Sequence, residues 1–549
     1  MINILMKYLK VKLSNCIKFF IKDNNSLLIL FFILISPFFM FYLTNKRFTF
    51  FLPVSVASQL AMLFLLAGIF KKRFLVCLFI SIFLLTAFLH WAHFFMYRYE
   101  LTDGAIAAIL STNFREAIEF IFIIPKVFWI FFIFLNVYIV YLFKRTPEII
   151  RFSSSQLTGF ILIILLSIFL KLGINRNVAK TIDDIILKSQ PLKTIITINR
   201  GYQLLKNFNS QISAIKTMNL DITNIGFDKN QIHVVIIGES ARRSSWSAYK
   251  YFRDTNMYTS KIKDSLLFKD VISSANATIS SIARTLTYTD KNGTANILKE
   301  AERFGFNTFW LSNQGQFGLF DNSTTLIANQ AMVKSFINTD TSSTSFDGGL
   351  LTELEKALAV KSKKKLIFIH LMGSHFYYSR RYPKEFDKFK GTEVITRGNY
   401  KTSDFNTINE YDNSILYTDY IISKIVNRVK DEKTFSSVLY FSDHGENLFE
   451  TKDEFGHGGM NISKKEVEVP MYLWLSKNFI NDQPQLVSHI SANLSKEISL
   501  YDFLPSYLYF LGLKTKIDGR KNFFAPFISP NDRIIFNQYQ QKVFYKDLK

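Results

Sequence analysis

Cysteine is nearly absent from this sequence, and that excludes one class of protein at once. The 549 residues hold two Cys, Cys16 and Cys77. Two cysteines cannot form a disulfide framework, so a small disulfide-stapled module is excluded. No Cys follows residue 171. The C-terminal part must therefore be stabilised by its core alone, for which about 300 residues is ample.

Charge is also scarce, while large apolar side chains are abundant. Charged residues make up 20% and hydrophobic residues 48% of the chain, with 57 Phe. Such a composition excludes intrinsic disorder. At roughly 150 residues per domain, the length allows three or four structural units. The mean hydropathy of +0.12 is high for a soluble enzyme and favours a membrane protein.

Long uncharged runs occur in the first 171 residues and nowhere later. A helix that crosses a bilayer needs about 20 apolar residues. The sequence therefore predicts a transmembrane domain of five helices over residues 1–171, formed by the runs 27–44, 50–70, 74–96, 127–143 and 157–170.

Basic residues predict the orientation of this domain. The N-terminal lysines, the loop Lys71–Arg73 and the loop after residue 143 should face the cytoplasm. Five crossings then place the rest of the chain in the periplasm, so we expect a multi-pass protein of the bacterial inner membrane. Half of the net charge of +22 lies in the first 171 residues and suits contact with anionic membrane lipids. Basic clusters with interleaved aromatic residues are lacking, so we expect no nucleic-acid partner.

The remaining chain divides into a connector and a large domain. Residues 172–228 have apolar positions at helical spacing and are interpreted as an amphipathic periplasmic connector, with a pair of packing helices as the alternative. Residues 229–549 contain apolar strand patterns at 233–238, 308–312, 365–370 and 436–442, with helical patterns such as 350–359 and 413–429 between them. This alternation predicts an α/β domain with helices on both faces of the sheet.

Chemically active residues follow three of these strands. Glu239 ends the first, His370 the third, and Asp443 with His444 the fourth. The carboxyl ends of parallel strands share one sheet edge, so we expect the four side chains to gather there. Carboxylates and imidazoles together are a zinc-like ligand set. A surface or capping role remains the alternative for any one of them taken singly.

Five segments together resemble the membrane phosphoethanolamine transferases of the alkaline phosphatase and sulfatase superfamily, a group that includes lipid A modifiers conferring polymyxin resistance. The segments are 237–242 (IGESAR), 371–375 (LMGSH), 411–419 (YDNSILYTD), 442–446 (SDHGE) and 456–458 (GHG). The resemblance covers nearly the whole chain and implies an alkaline-phosphatase-like α/β/α periplasmic domain.

The resemblance also implies site residues. Thr278 matches the family's nucleophilic threonine, with Ser280 and Ser281 as near rivals and Ser273 and Ser274 as weaker ones. Zn²⁺ would be held by the set Glu239, Thr278, Asp443 and His444. A second metal ion or the transferred group would be bound by the set His370, His375 and His457.

The implied reaction moves phosphoethanolamine from phosphatidylethanolamine to Thr278 and then to an acceptor. The acceptor would be lipopolysaccharide, at a core heptose or at lipid A. Asn313, in the segment 310–314, is expected to bind substrate and favours the branch acting on core sugar. Thr112 and Glu116 match a donor-binding segment, in which Ala108 replaces an expected Asn.

One further departure from the family pattern concerns the surroundings of the nucleophile. Ser274 and Arg284 stand where better-known members have cystines. The departure bears on stability rather than on mechanism.

The sequence leaves three other classes of protein to consider. A sulfatase is disfavoured, because no Cys/Ser-x-Pro-x-Arg segment occurs. A glycerol-phosphate transferase of the lipoteichoic acid synthase type would share the five helices, the threonine and the fold, but would use phosphatidylglycerol. A non-catalytic membrane scaffold predicts that the residues at the strand ends have been lost, and here they are present.

Overall fold

The structure is a computed structural model and describes the chain in part. The described residues are 81–82, 85–86, 88–93, 101–111, 124, 126, 129–130, 132–134, 136–137, 158, 161, 165, 192–213, 218–227, 229–315, 323–338, 345–392, 402–450, 455–459, 462–526, 532–537 and 540–548.

The described residues fall into two compact units. One draws on residues 1–101 and 124–200, the other on residues 102–123 and 201–549. Within the described ranges, no helix combines the length and the apolar character that a membrane crossing requires. The runs predicted to span at 27–44 and 50–70 lie outside the described residues, as do most positions of the other three. The five-helix count thus remains a prediction.

Short and medium strands make up the sheets of the second unit. In chain order they are β1 Ile222–Asn224, β2 Gln231–Gly238, β3 Ser265–Phe268, β4 Asp270–Ile272, β5 Thr287–Asp290, β6 Gly293–Asn296, β7 Asn307–Ser312, β8 Val333–Phe336, β9 Lys364–His370, β10 Phe435–Ser442, β11 Asn447–Leu448, β12 Phe455–Gly456, β13 Met471–Leu475, β14 Glu497–Ser499, β15 Leu513–Thr515, β16 Ile534–Phe536 and β17 Lys542–Phe544.

The described helices are unevenly long. In chain order they are α1 Asp103–Ser111, α2 Leu192–Ser213, α3 Thr278–Leu286, α4 Ile297–Arg303, α5 Ser323–Ala328, α6 Leu350–Ala359, α7 Thr402–Asp431, α8 Lys464–Val467, α9 Lys477–Asp482, α10 Pro484–Asn493 and α11 Phe503–Phe510. The helix expected at 350–359 is α6. The helix expected at 413–429 is the C-terminal part of the 30-residue α7.

A seven-stranded sheet in the order β3-β13-β10-β2-β9-β7-β8 organises the second unit. The strands β10, β2, β9, β7 and β8 run parallel, whereas β13 and β3 pair antiparallel at one edge. Val234 to Ile237 of β2 are wholly buried. A strand buried on both faces has a continuous apolar sequence, which is why this run is predictable without alternation. The predicted α/β class is confirmed.

Both faces of the sheet are covered. Val235 and Ile237 pack into a core shared with residues of α3, α4 and α11. Their neighbours Val234 and Ile236 point to the opposite face because side chains alternate along a strand. Helix α7 also packs on the sheet, against β10 and β2.

The segment predicted to be a connector contains one short strand. This strand, β1, pairs antiparallel with β15, with Ile222 opposite Thr515. The predicted boundaries of the connector and of the two flanking domains remain predictions.

Register brings the strand ends to one edge. Ser442 of β10 lies opposite Gly238 of β2. His370 of β9 lies opposite Ile237 on one side and Ser312 of β7 on the other. The residues that follow Gly238, Ser312 and Ser442 therefore start from the same edge.

Candidate active site and metal centre

Glu239 and Asp443 are neighbours because they follow paired strand residues. The backbone N–H of Asp443 donates to the carbonyl of Gly238 (3.0 Å), and that of Ser240 donates to Asp443 Oδ1 (3.2 Å). Ser240 has φ +56°, which turns the chain sharply after the strand. Gly238 has no room for a side chain, because a Cβ there would collide with the ring of Tyr440.

Thr278 reaches this edge as the first residue of α3. Its hydroxyl donates to Glu239 Oε2 (3.1 Å) and lies 3.2 Å from His444 Nε2. Ser281, one turn later, donates to the carbonyl of Asp443 (2.5 Å), which ties the helix to the end of β10. The side chain of Thr278 is half-buried, whereas Ser281 is buried and its hydroxyl is used in this bond.

Four side chains converge on one point. His444 Nε2 lies 3.3 Å from Glu239 Oε1 and 3.5 Å from Asp443 Oδ2, in addition to its approach to Thr278. Asp443 Oδ2 is buried and has no hydrogen-bond partner within the described part of the chain. A buried carboxylate oxygen without a donor is costly, and a cation at this point would satisfy it.

The tautomer of His444 suits metal binding. Its Nδ1–H donates to the carbonyl of Gly445 (2.8 Å), so loss of the second ring proton leaves the lone pair on Nε2, which faces the carboxylates. Oxygen and nitrogen ligands from Glu239, Thr278, Asp443 and His444 could thus hold a divalent metal ion, and the donor set suits zinc.

The charges of these groups are strongly linked. Burial, reinforced by the charge of Glu239, raises the pKa of Asp443 to about 8. Burial opposes protonation of His444, but Asp443 and Glu239 outweigh it and raise its pKa to about 10. Burial likewise opposes ionisation of Glu239, yet contact with His444 holds its pKa well below the usual value. Without a metal ion, a proton on His444 compensates the carboxylates.

His457 lies beside this cluster and is oriented by a buried acid. Its ring centroid is 4.0 Å from that of His444. His457 Nδ1 is 3.0 Å from Glu446 Oε1, and the Tyr378 hydroxyl donates to Glu446 Oε2 (2.9 Å). In the described part of the chain, ligand atoms of Glu239, His444 and His457 lie within 4.8 Å of one another. The predicted role of His457 at the site thus has a geometric basis.

The other two predicted histidines flank Glu239 without joining the four-ligand cluster. His370 is buried against Trp310, and burial lowers its pKa to about 4, so it is neutral. His370 Nε2 and His375 Nδ1 are buried and lack a hydrogen-bond partner among the described residues. The turn 371–375 wraps Glu239, since Ser374 N–H donates to its carbonyl (2.9 Å).

Asn313 is placed at the sheet edge but faces protein groups. Its amide donates to Asp347 Oδ1 (2.8 Å) and to the carbonyl of Ser345 (3.1 Å), and its side chain is fully buried. The next residue, Gln314, reaches Glu239 Oε2 (3.5 Å) and donates to the carbonyl of Leu371 (2.9 Å). Substrate binding by Asn313 remains a prediction. Thr112 and Glu116 lie outside the described residues.

Residues that the sequence did not single out complete the surroundings. Glu446 was visible in the segment 442–446, but its contact with His457 was not. Buried Glu466 accepts from the amide of Asn276 (2.8 Å), two residues before the nucleophile candidate, and burial raises its pKa to about 7. The spacing of 190 residues between Glu466 and Asn276 leaves no local signal.

Comparison with known proteins gives relatives of consistent description. Phosphoethanolamine transferase EptC from Escherichia coli O18:K1:H7 is 23% identical over 482 residues, which covers 82% of each chain. Phosphoethanolamine transferase EptA from Salmonella typhimurium is 30% identical over 298 residues, 51% of this chain and 52% of the relative.

Solved structures share the fold. The integral membrane protein lipooligosaccharide phosphoethanolamine transferase A (EptA) from Neisseria meningitidis aligns with a TM-score of 0.69 at 18% identity, covering 89% of this chain and 96% of that one. The C-terminal periplasmic domain of EptC from Escherichia coli in complex with Zn gives 0.56 at 24% identity, covering 61% and 98%.

The sulfatase family matches residues 231–513, more than half of the chain and the whole of the main sheet. The resemblance recognised in the sequence segments is confirmed by these relatives. The chain belongs to the sulfatase family.

Proposed function

We propose that this protein transfers phosphoethanolamine from phosphatidylethanolamine to lipopolysaccharide through a covalent intermediate on Thr278. The observation that carries the proposal is the convergence of Glu239, Asp443 and His444 on the Thr278 hydroxyl. Relatives named phosphoethanolamine transferases support the donor group. One of them is named a Kdo(2)-lipid A phosphoethanolamine 7''-transferase, which supports an envelope glycolipid as acceptor.

In the first half-reaction the donor is cleaved and its phosphoethanolamine group is attached to Thr278. Thr278 Oγ forms a bond to the phosphorus of the donor, and the bond from phosphorus to the diacylglycerol oxygen breaks. The hydroxyl proton is already directed at Glu239 Oε2, so that carboxylate is placed to accept it. The N-terminus of α3 favours negative charge on the phosphoryl oxygens. Diacylglycerol leaves after taking up a proton.

The second half-reaction reverses the roles. A hydroxyl of the acceptor forms a bond to phosphorus, and the bond to Thr278 Oγ breaks. The proton lost by the acceptor hydroxyl balances the one that Thr278 Oγ takes up, which restores the hydrogen bond of Thr278 to Glu239. The same residues thus serve both steps, and the sequence of steps is of the ping-pong type.

Zinc fits the ligand set on the evidence of the unsatisfied Asp443 Oδ2 and of His444 Nε2, which faces the carboxylates and becomes a ligand when a metal ion displaces its proton. When bound, it would lower the pKa of the Thr278 hydroxyl and offset the charge of the phosphoryl oxygens. A relative's structure in complex with Zn supports this choice. His457 and His375 would contact the transferred group or a second ion.

The proposed location follows from the donor. Phosphatidylethanolamine lies in the bilayer, so a membrane domain at residues 1–171 beside a periplasmic catalytic domain would give access to it. We propose the multi-pass inner-membrane arrangement on the uncharged runs of the sequence. A core heptose is the acceptor that the segment 310–314 favours, with lipid A as the second candidate.

Mass spectrometry of lipopolysaccharide tests this function. Lipid A and core fractions are compared between cells with the gene, without it, and with Thr278→Ala. The proposal requires one added phosphoethanolamine mass in one fraction, absent in the variant. An added glycerol phosphate, or no change in either fraction, would contradict it.

A further inference from the structure

Two half-buried arginines, one on the nucleophile helix and one next to it, have no carboxylate partner among the described residues. Arg284 belongs to α3, and Arg520 follows β15. Neither forms an ion pair among the described residues. The neighbouring segments 527–531 and 538–539, outside the described residues, contain no Asp or Glu. Arginine remains charged in proteins, so two such groups call for an anion.

Neutral groups hold Arg284. Its Nε and Nη2 donate to Oε1 of Gln540 at 3.2 and 2.6 Å. The guanidinium carbon lies 3.4 Å from the ring centroid of Phe536. Burial and the positive charge of Arg520 lower the pKa of Arg284 to about 10, partly offset by Tyr501.

Two N–H groups of Arg520 have no acceptor among the described residues. Its Nη2 donates to the carbonyl of Thr287 (2.8 Å), and its guanidinium lies 4.3 Å from the ring centroid of Tyr501. Its Nε and Nη1 are buried and have no acceptor among the described residues. The charge of Asp502 acts on Arg520, but this carboxylate accepts the backbone N–H of Lys521 and is not paired with the arginine.

The pair lies near the reacting residue. Arg284 comes six residues after Thr278 in α3, about 9 Å along the helix axis. Gln540, which holds Arg284, also donates to Ser280 in the first turn of that helix (3.0 Å). Gln540 thus links Arg284 to the first turn of the helix that carries Thr278.

We propose that Arg284 and Arg520 form a second binding site, for a phosphate mono- or diester group of a lipid. The planar, multiply donating guanidinium matches phosphate oxygens, and the unsatisfied donors of Arg520 supply the hydrogen bonds. The phosphate belongs to the acceptor glycolipid or to an anionic bilayer headgroup. Assigning it to the transfer reaction rests on the proposed function, whereas phosphate binding itself does not.

Acceptor kinetics with the full-length protein in lipid vesicles test the site. The acceptor is supplied with its phosphates and after their enzymatic removal, in vesicles of phosphatidylethanolamine and phosphatidylcholine, and again with phosphatidylglycerol added. Arg284→Gln and Arg520→Gln are compared with Arg428→Gln, a surface arginine paired with Glu355 and Glu432.

We expect both variants to raise KM about tenfold for the phosphorylated acceptor relative to the dephosphorylated one, with no such change in the control. A KM change that instead follows the phosphatidylglycerol content assigns the site to a bilayer headgroup. Arg284→Lys keeps the positive charge but loses the planar guanidinium with its paired N–H donors, so it should give an intermediate KM. Equal KM changes for both acceptors in all vesicles, or none, would overturn the proposal.

Diacylglycerol release and phosphate binding distinguish failure of the proposed function from failure of the arginine site. If the wild type releases no diacylglycerol, the transferase assignment fails. Binding of inorganic phosphate, compared by calorimetry between wild type and Arg520→Gln, still tests the arginine site. Weaker binding in the variant supports the site, and identical isotherms overturn it. The unfolding midpoint of each variant is measured alongside, so that Arg284→Gln carries the test if Arg520→Gln fails to fold.

Discussion

The amide of Asn276 donates a 2.8 Å hydrogen bond to the buried carboxylate of Glu466, and this contact fixes the backbone two residues before Thr278. The same carboxylate accepts the backbone N–H of Ser463, the N-cap residue of α8. One buried acid thus joins the approach to the nucleophile to the segment that follows His457.

Replacing this acid should change how stability depends on pH. Burial raises the pKa of Glu466 from 4.5 to about 7 in the folded protein, so the folded state binds more protons than the unfolded state between these values. Stability is therefore greatest below about pH 4.5 as far as this group is concerned, and it falls as pH rises through 7. Glu466→Gln should remove this loss, which is up to about 3 kcal/mol.

Thermal unfolding of the full-length protein at about pH 5 and pH 8 measures the effect. The midpoint of Glu466→Gln relative to wild type should be higher at the alkaline pH. Glu353→Gln is the control, because contact with Lys356 lowers the pKa of Glu353 and gives no such gain. A pH-independent difference would contradict the buried, ionising carboxylate.

Gly373 tests how closely the turn 371–375 must approach Glu239. A Cβ at Gly373 would lie 2.9 Å from the backbone nitrogen of Glu239, and its φ is +50°. Gly373→Ala should slow donor cleavage by about ten- to a hundredfold, because Glu239 must move. Gly305 also has positive φ (+84°) but faces open space, so Gly305→Ala should lose about 1 kcal/mol of stability and keep its rate. Equal rates in the two variants would show that the close approach is unimportant.

Asp443 should determine how much zinc the purified protein contains. Its unsatisfied Oδ2 is the atom that a cation would coordinate. Protein purified without chelator should contain about one zinc ion per chain, and Asp443→Asn should contain far less, measured by elemental mass spectrometry. Asp290→Asn, in the hairpin of β5 and β6, is the control and should keep its zinc. Full occupancy in Asp443→Asn would remove this residue from the ligand set.

Glu446 should act through His457. Its carboxylate oxygens contact His457 Nδ1 and the Tyr378 hydroxyl. Glu446→Gln should lower kcat by about ten- to a hundredfold with a smaller change in KM, as expected for a group that orients another. Because the two act as a unit, Glu446→Gln combined with His457→Ala should be no slower than His457→Ala alone. Additive losses would indicate independent roles.

Prediction from sequence succeeded where the pattern is local. Apolar runs that end in Glu239 and in Asp443–His444 are visible without a structure, because parallel strands buried on both faces have continuous apolar sequences. Glu239 and Asp443 lie side by side because the strands that they follow, β2 and β10, are adjacent and parallel. Thr278, in contrast, belongs to a helix N-terminus with no distinctive composition, and only the family resemblance singled it out.

Contacts between distant segments could not be predicted. Gln314, Glu446 and Glu466 acquire their positions from tertiary packing, which leaves no spacing rule in the sequence. The pairing of β1 with β15 joins residues about 290 apart in the sequence. No local pattern in the segment 222–224 indicates this pairing. The contact of the Asn313 amide with Asp347 likewise joins residues 34 apart and has no local signal in the sequence.

A covalent phosphoethanolamine group on Thr278 is the central claim, and intact-protein mass spectrometry tests it most directly. Full-length protein in vesicles of phosphatidylethanolamine, without acceptor, should gain the mass of one phosphoethanolamine group as diacylglycerol is released. Peptide mapping should place the group on Thr278, and addition of acceptor should remove it. Diacylglycerol release without an adduct, or an adduct on Ser280 or Ser281, would contradict the account.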